Sequence, residues 1–77
     1  MTRWKPCKRR DFIRRLNELG LEGPFSGKRH QFMVYLGHRL AIPSNAEYSI
    51  PQLRTMLQEV SAILERSISA SDWDSLR

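Results

Sequence analysis

The chain has 77 residues, 40% of them hydrophobic and 27% charged, and a formal net charge of +5. One small domain over residues 1–77 with one core fits this length, and a two-domain enzyme does not. Residues 1–39 hold ten Lys or Arg against three acids and residues 40–77 hold three against five, so one surface is expected to face a polyanion or an acidic partner.

Pro6 suits a helix start, and residues 8–19 set Phe12, Leu16 and Leu19 on one side with Ile13 flanking, before Gly20 supplies the stop. Arg10 and Arg14 fall roughly opposite that stripe, facing solvent. Lys8, Arg9 and Arg10 crowd the first turn, where the helix dipole disfavours each cation by ~0.3–1 kcal/mol. Such a local cost points either to an external anion or to a helix that begins later, with these charges in a solvated tail.

From Leu21 to Pro43 the helical period vanishes, and Gly or Pro at positions 23, 24, 27, 37 and 43 punctuates short apolar segments. Three strands in an antiparallel meander are predicted over 21–25, 29–35 and 38–42, turning at Ser26-Gly27-Lys28 and Leu36-Gly37. Alternation assigns Phe32 and Val34, like Leu40 and Ile42, to the face that meets the helices, and points Met33 and Tyr35 away. His30 shares the parity of Phe32 and Val34, so partial burial competes with a role in proton transfer as the explanation of this residue.

Ser49 with Gln52 reads as a capping box, Pro51 fits the first helical turn, and Tyr48 is placed to staple against Leu53. Leu53, Met56, Leu57, Val60, Ile63 and Leu64 then make a stripe about 120° wide, predicting one helix through about Arg66. Ser69 with Asp72 repeats the capping pattern ahead of Trp73 and Leu76, giving a short last helix that closes over the core. The expected class is α+β, in the order α-β-β-β-α, with both helices on one face of a three-stranded antiparallel sheet and a short C-terminal helix added.

The acids Asp11, Glu18, Glu22, Glu47, Glu59, Glu65, Asp72 and Asp74 are dispersed, which argues against a two-metal nuclease, and no metal or other cofactor is expected. Phosphate-binding Gly-rich loops and the Gly-x-Ser-x-Gly elbow do not occur. The apolar run Phe32–Leu36 falls far short of the about 20 residues that a spanning helix needs, and nothing near the N-terminus reads as a signal peptide. Cys7 is the single cysteine and closes no internal disulfide, so a cytoplasmic protein without membrane attachment is expected. What remains is Ser26-Gly27-Lys28-Arg29-His30, a Gly turn that delivers two cations and an imidazole to the start of a strand. These parts suit RNA cleavage without a metal. The ribose 2′-OH must lose a proton as it attacks the adjacent phosphate, and an imidazole accepts protons near neutral pH. Lys28 or Arg29 can hold that phosphate and offset the charge that builds up on it.

The combined pattern is Lys8-Arg9-Arg10-Asp11-Phe12-Ile13-Arg14-Arg15-Leu16, Leu19-Gly20-Leu21, Gly27-Lys28-Arg29-His30, Leu40-Ala41-Ile42-Pro43 and Leu53-Arg54. Together these resemble the HicA family of toxins, from about Lys5 to Trp73. The resemblance implies a fold similar to the double-stranded RNA-binding domain. It also implies an mRNA-cleaving toxin whose catalytic His maps onto His30, and a HicB-like antitoxin that covers the site. Many relatives carry Gly-Ser-His or Gly-Gly-Lys-His at the turn, so this one is bulkier. Relatives often place a second His just after the strand-ending Pro; Ser44 and Asn45 stand there in this chain, and an assisting role is lost or passes to His38. A longer stretch, Ser61–Ser67, replaces the usual Gly between the last two helices and is expected to add about two helical turns.

The leading expectation is thus a metal-independent endoribonuclease with His30 as general base or acid and with Lys8, Arg10, Arg14, Lys28 and Arg29 binding RNA. Two other classes fit the same residues: a catalytically silent RNA-binding module that reads duplex shape and backbone charge, and a protein-interaction domain whose basic face meets an acidic partner. Oligomeric state is not fixed by the sequence.

Overall fold

The computed structural model describes residues 2–77. In chain order it contains β1 (Cys7–Lys8), α1 (Arg9–Glu18), β2 (Glu22–Phe25), β3 (Gln31–Tyr35), β4 (His38–Ile42), β5 (Glu47–Tyr48), α2 (Ile50–Leu64) and α3 (Ala70–Asp74). Strands β2, β3 and β4 form the expected three-stranded antiparallel sheet. Helix α1 packs beside β2 and α2 beside β4. The predicted order α-β-β-β-α with a short last helix is therefore the architecture of the chain.

Two features differ from the sequence expectation at the N-terminal end. Pro6 does not open the first helix. Cys7 and Lys8 instead pair antiparallel with Tyr48 and Glu47, in a small second sheet that ties the start of α1 to the approach of α2. Burial explains this pairing, since the Cys7 and Tyr48 side chains are both enclosed and their backbone groups need partners.

Helix α1 ends as its Gly20 suggests. Gly20 takes φ +105°, its N–H donates to the Asn17 carbonyl, and the Leu21 N–H donates to the Leu16 carbonyl. This is a Schellman closure, and Leu16 and Leu21, the apolar pair that usually accompanies it, are both buried. Asn17 adds side-chain hydrogen bonds from Nδ2 to the carbonyls of Leu21 and Gly23, at 3.0 and 3.2 Å.

The largest correction lies in β3. Met33 is fully buried with Leu40 and Ile42, whereas Phe32 and Val34 are only half-buried on the opposite face. The cause is the register. Leu36 and Gly37 form a two-residue turn with φ +47° and +84°, so Tyr35 pairs with His38 and Met33 with Leu40. Directly paired residues share a face, and across a two-residue turn they have opposite parity. Once Leu40 and Ile42 face the helices, Met33 must join them and Phe32 and Val34 must turn outward.

The core gathers Phe12, Leu16, Leu21, Met33, Leu40, Ile42, Tyr48, Leu53, Met56, Leu57, Val60 and Trp73 around the inner sheet face. Phe12 is its aromatic centre. Its ring meets Tyr48 edge-on at 5.3 Å and Trp73 at 5.5 Å, contacts worth about 0.5–1.5 kcal/mol each beyond area burial. Trp73 is how α3 closes over the core, as expected, and the α3 start carries a complete capping box. The Ser69 backbone N–H, and then its hydroxyl, hold the Asp72 carboxyl below its ordinary range.

The α2 start differs in detail. The Ser49 hydroxyl accepts from the Gln52 N–H, but the Gln52 side chain turns away to exchange two hydrogen bonds with Asn45, so the box is half formed. Tyr48 and Leu53 are both fully buried, consistent with the staple. The Ser61–Ser67 stretch gives only about one further turn. The helix stops after Leu64, where Glu65 enters the left-handed region at φ +55° and Arg66 N–H closes back on the Ser61 carbonyl.

Candidate functional site

The turn between β2 and β3 carries Lys28, Arg29 and His30, and all three are exposed. Partial burial, the competing explanation for His30, does not occur, because the face it shares with Phe32 turns outward. An exposed imidazole has no packing role to lose.

Gly27 explains how the turn is held. Its φ lies outside the left-handed region, so space rather than backbone conformation demands glycine. A Cβ there would overlap the His30 carbonyl oxygen, closer than the 3.0 Å that real Cβ atoms respect, and would touch the Phe32 ring at 3.4 Å. The glycine lets the turn fold flat against the His30 backbone and the outer face of β3.

Arg9 links this turn to the basic helix start. Its guanidinium donates to the Gln31 side-chain oxygen, the residue after His30, and through Nε to the Pro43 carbonyl at 3.2 Å. The Arg9 N–H also donates to the Ala46 carbonyl at 2.9 Å, and the Tyr48 hydroxyl donates to the same Pro43 carbonyl at 2.7 Å. The first turn of α1, the start of β3 and the end of β4 therefore lie at one end of the molecule. Lys8 and Arg10 flank Arg9 there and are exposed. Arg14 stands one turn further along α1 and pairs with Asp11 at 3.0 Å, so it is a weaker claimant for phosphate.

Lys8, Arg10, Lys28, Arg29 and His30 are thus brought to one end, and Arg14 lies at its margin. Arg9 is the residue that sequence reasoning missed as a positioning group. It read as one more cation in a run, and only its pairing with Gln31 reveals its task. A shallow depression beside it is lined by Lys8, Arg9, Arg10, Ser44, Ala46 and Glu47.

His38 takes no part. It pairs with Tyr35 at the far end of the β3–β4 hairpin, while Gln31 pairs with Ile42 at the near end. Five residues from position 30 to 35, at ~3.3 Å each, separate the two imidazoles by roughly 16 Å along the strand. The Ser44-Asn45 segment lies on the near side, but Asn45 is engaged with Gln52 and the Glu47 carbonyl. Any proton transfer at the turn falls to His30.

Among the described residues, no three His, Cys, Asp or Glu side chains gather as a metal-binding group. No described helix is long and apolar enough to cross a membrane. Comparison of the chain with protein-family models, curated proteins and solved structures returns no match.

Proposed function

We propose that the chain is a metal-independent endoribonuclease that cleaves mRNA in the cytoplasm, the toxin of a toxin–antitoxin pair restrained by a HicB-like protein. The observation that carries this reading is the exposed His30, flanked by Lys28 and Arg29 on a turn shaped by Gly27 and tied through Gln31 to Arg9.

In this reading an imidazole nitrogen of His30 accepts the proton of a ribose 2′-OH. The freed oxygen attacks the adjacent phosphorus, the bond from phosphorus to the 5′-oxygen breaks, and that oxygen takes a proton from water, leaving a 2′,3′-cyclic phosphate and a 5′-hydroxyl. Lys28 and Arg29 offset the charge that develops on the phosphoryl oxygens, an effect worth most where hydrogen-bond donors are held in place before the reaction. Lys8 and Arg10 hold the flanking backbone. Phosphate contacts of this kind release counterions, so RNA affinity should fall with salt, by about 0.7 in logarithmic slope for each single-strand contact.

The test is His30→Ala expressed beside the wild type. The variant should lose growth arrest and RNA cleavage while keeping its melting temperature and RNA affinity. Retained cleavage would reject the role of His30. A wild type that binds RNA with the expected salt slope but never cleaves it would make the chain a silent RNA-binding module.

A further inference from the structure

The sheet has a second face that no helix covers. On it stand Phe32 with Ala41 and Val34 with Arg39, each pair directly opposite across β3 and β4. Across β2, Phe25 lies opposite Phe32 and Glu22 opposite Val34. Phe25 is 43% exposed, one of two large apolar side chains among the described residues that are open to solvent. The two phenyl rings lie 5.7 Å apart, tilted by 38°, and the Arg39 guanidinium sits over the Phe32 ring at 4.7 Å. Gly27, in the turn that carries Lys28, Arg29 and His30, lies beside the same ring.

We infer that this open face is a stacking platform for the bases of single-stranded RNA next to the phosphate presented to His30. The inference rests on the proposed ribonuclease activity and names how its substrate is held. The exposed Phe25 ring can accept any base by stacking, backed by the half-buried Phe32 ring, and the Arg39 plane adds a cation that can lie against a base or pair with phosphate. Arg39 and Glu22 flank Val34 on this face and offset one another, while Lys28 and Arg29 stand exposed in the turn that leads into β3 and leave the local balance positive.

Charge favours RNA as the occupant. Three strands about 4.8 Å apart, two of five residues and one of four, span roughly 10 by 16 Å at ~3.3 Å per residue. This extent matches the two or three bases that an exposed aromatic sheet can stack. A duplex would hide its bases from these rings, so the platform selects unpaired strands.

The test uses the full chain and a fluorescein-labelled single-stranded 2′-O-methyl RNA of about ten nucleotides, within the ~4–16 nucleotides typical of single-strand sites. The blocked 2′-oxygen prevents cleavage, and a matching oligonucleotide with abasic residues removes only the bases. Phe25→Ala should weaken binding of the base-bearing strand by about tenfold or more and leave the abasic strand unchanged. Phe25→Trp should bind the base-bearing strand at least as tightly as the wild type. Equal affinities of wild type and Phe25→Ala for the base-bearing strand, or equal losses on both strands, would overturn the platform. So would a Phe25→Ala variant that keeps its RNA affinity but loses a protein partner. Cleavage is measured in parallel on unmodified RNA. Cleavage by the wild type with no Phe25 dependence of binding rejects the platform and spares the nuclease; Phe25-dependent binding without cleavage rejects the nuclease and spares the platform.

Discussion

Replacing Gly27 by Ala separates the shape of the turn from the chemistry of its histidine. An added Cβ would collide with the His30 carbonyl oxygen, and it has the Phe32 ring at 3.4 Å on its other side, so sideways relief is limited. The turn must move by roughly half an ångström or more, and misplacement on the scale of 1 Å can cost about 10²-fold in rate. The stability cost should be smaller in consequence, about 1 kcal/mol at the low end of overpacking, because the segment is exposed and can yield outward. Cleavage of end-labelled RNA under single-turnover conditions measures the first quantity and thermal unfolding the second. The expected result is a fall in rate of at least about tenfold with a melting temperature lowered by about 4–8 °C. A Gly27→Ala chain that cleaves at the wild-type rate would refute the claim that this glycine sets the position of His30.

Other consequences follow from the register, the turns and the buried groups. Met33→Lys should unfold the chain, since it drives a charge into the core, whereas Val34→Lys on the open face should be tolerated within about 1 kcal/mol; circular dichroism melts distinguish this from the reverse parity. Leu36 is 83% exposed at φ +47° and Glu65 stands at φ +55°, so Leu36→Asn and Glu65→Gly should each raise stability by roughly 0.5–1 kcal/mol, read as higher denaturant midpoints. Burial lifts the Cys7 thiol and the Tyr48 hydroxyl above their ordinary values of 9.0 and 10.0. The folded chain then holds these protons more tightly than the unfolded one, so their contribution is complete below about pH 9 and is lost as pH rises beyond it. Melting temperatures taken across that range should fall, and Cys7→Ala should remove part of the fall.

Helix and strand placement was legible in the sequence because each boundary had a local cause. The Gly20 stop, the Ser69–Asp72 box and the Leu36-Gly37 turn were visible in short motifs, and the structure places them where those motifs lie. The face of β3 was not read correctly, although the information was present. Phe32 and Val34 look more core-like than Met33 when β3 is taken alone. The two-residue turn couples the strands, and it decides against Phe32 once Leu40 and Ile42 are placed inside. The strand made by Cys7 and Lys8 had no local signal, since its partner lies some forty residues away. The cations of the candidate site were visible as a charge run, but not which of them positions and which faces solvent. Arg9 is half-buried and bonded to Gln31 and Pro43, while Arg10 beside it is exposed, a difference that exists only once α1 docks against the sheet edge.

The most direct test of the central claim is end-group analysis of RNA cut by the purified chain in the presence of EDTA. The account predicts a 2′,3′-cyclic phosphate and a 5′-hydroxyl at each cut, with no product from His30→Ala and none from RNA carrying 2′-deoxyribose at the cleaved position. A 5′-phosphate product, or cleavage of the 2′-deoxy substrate by the wild-type chain, would contradict it.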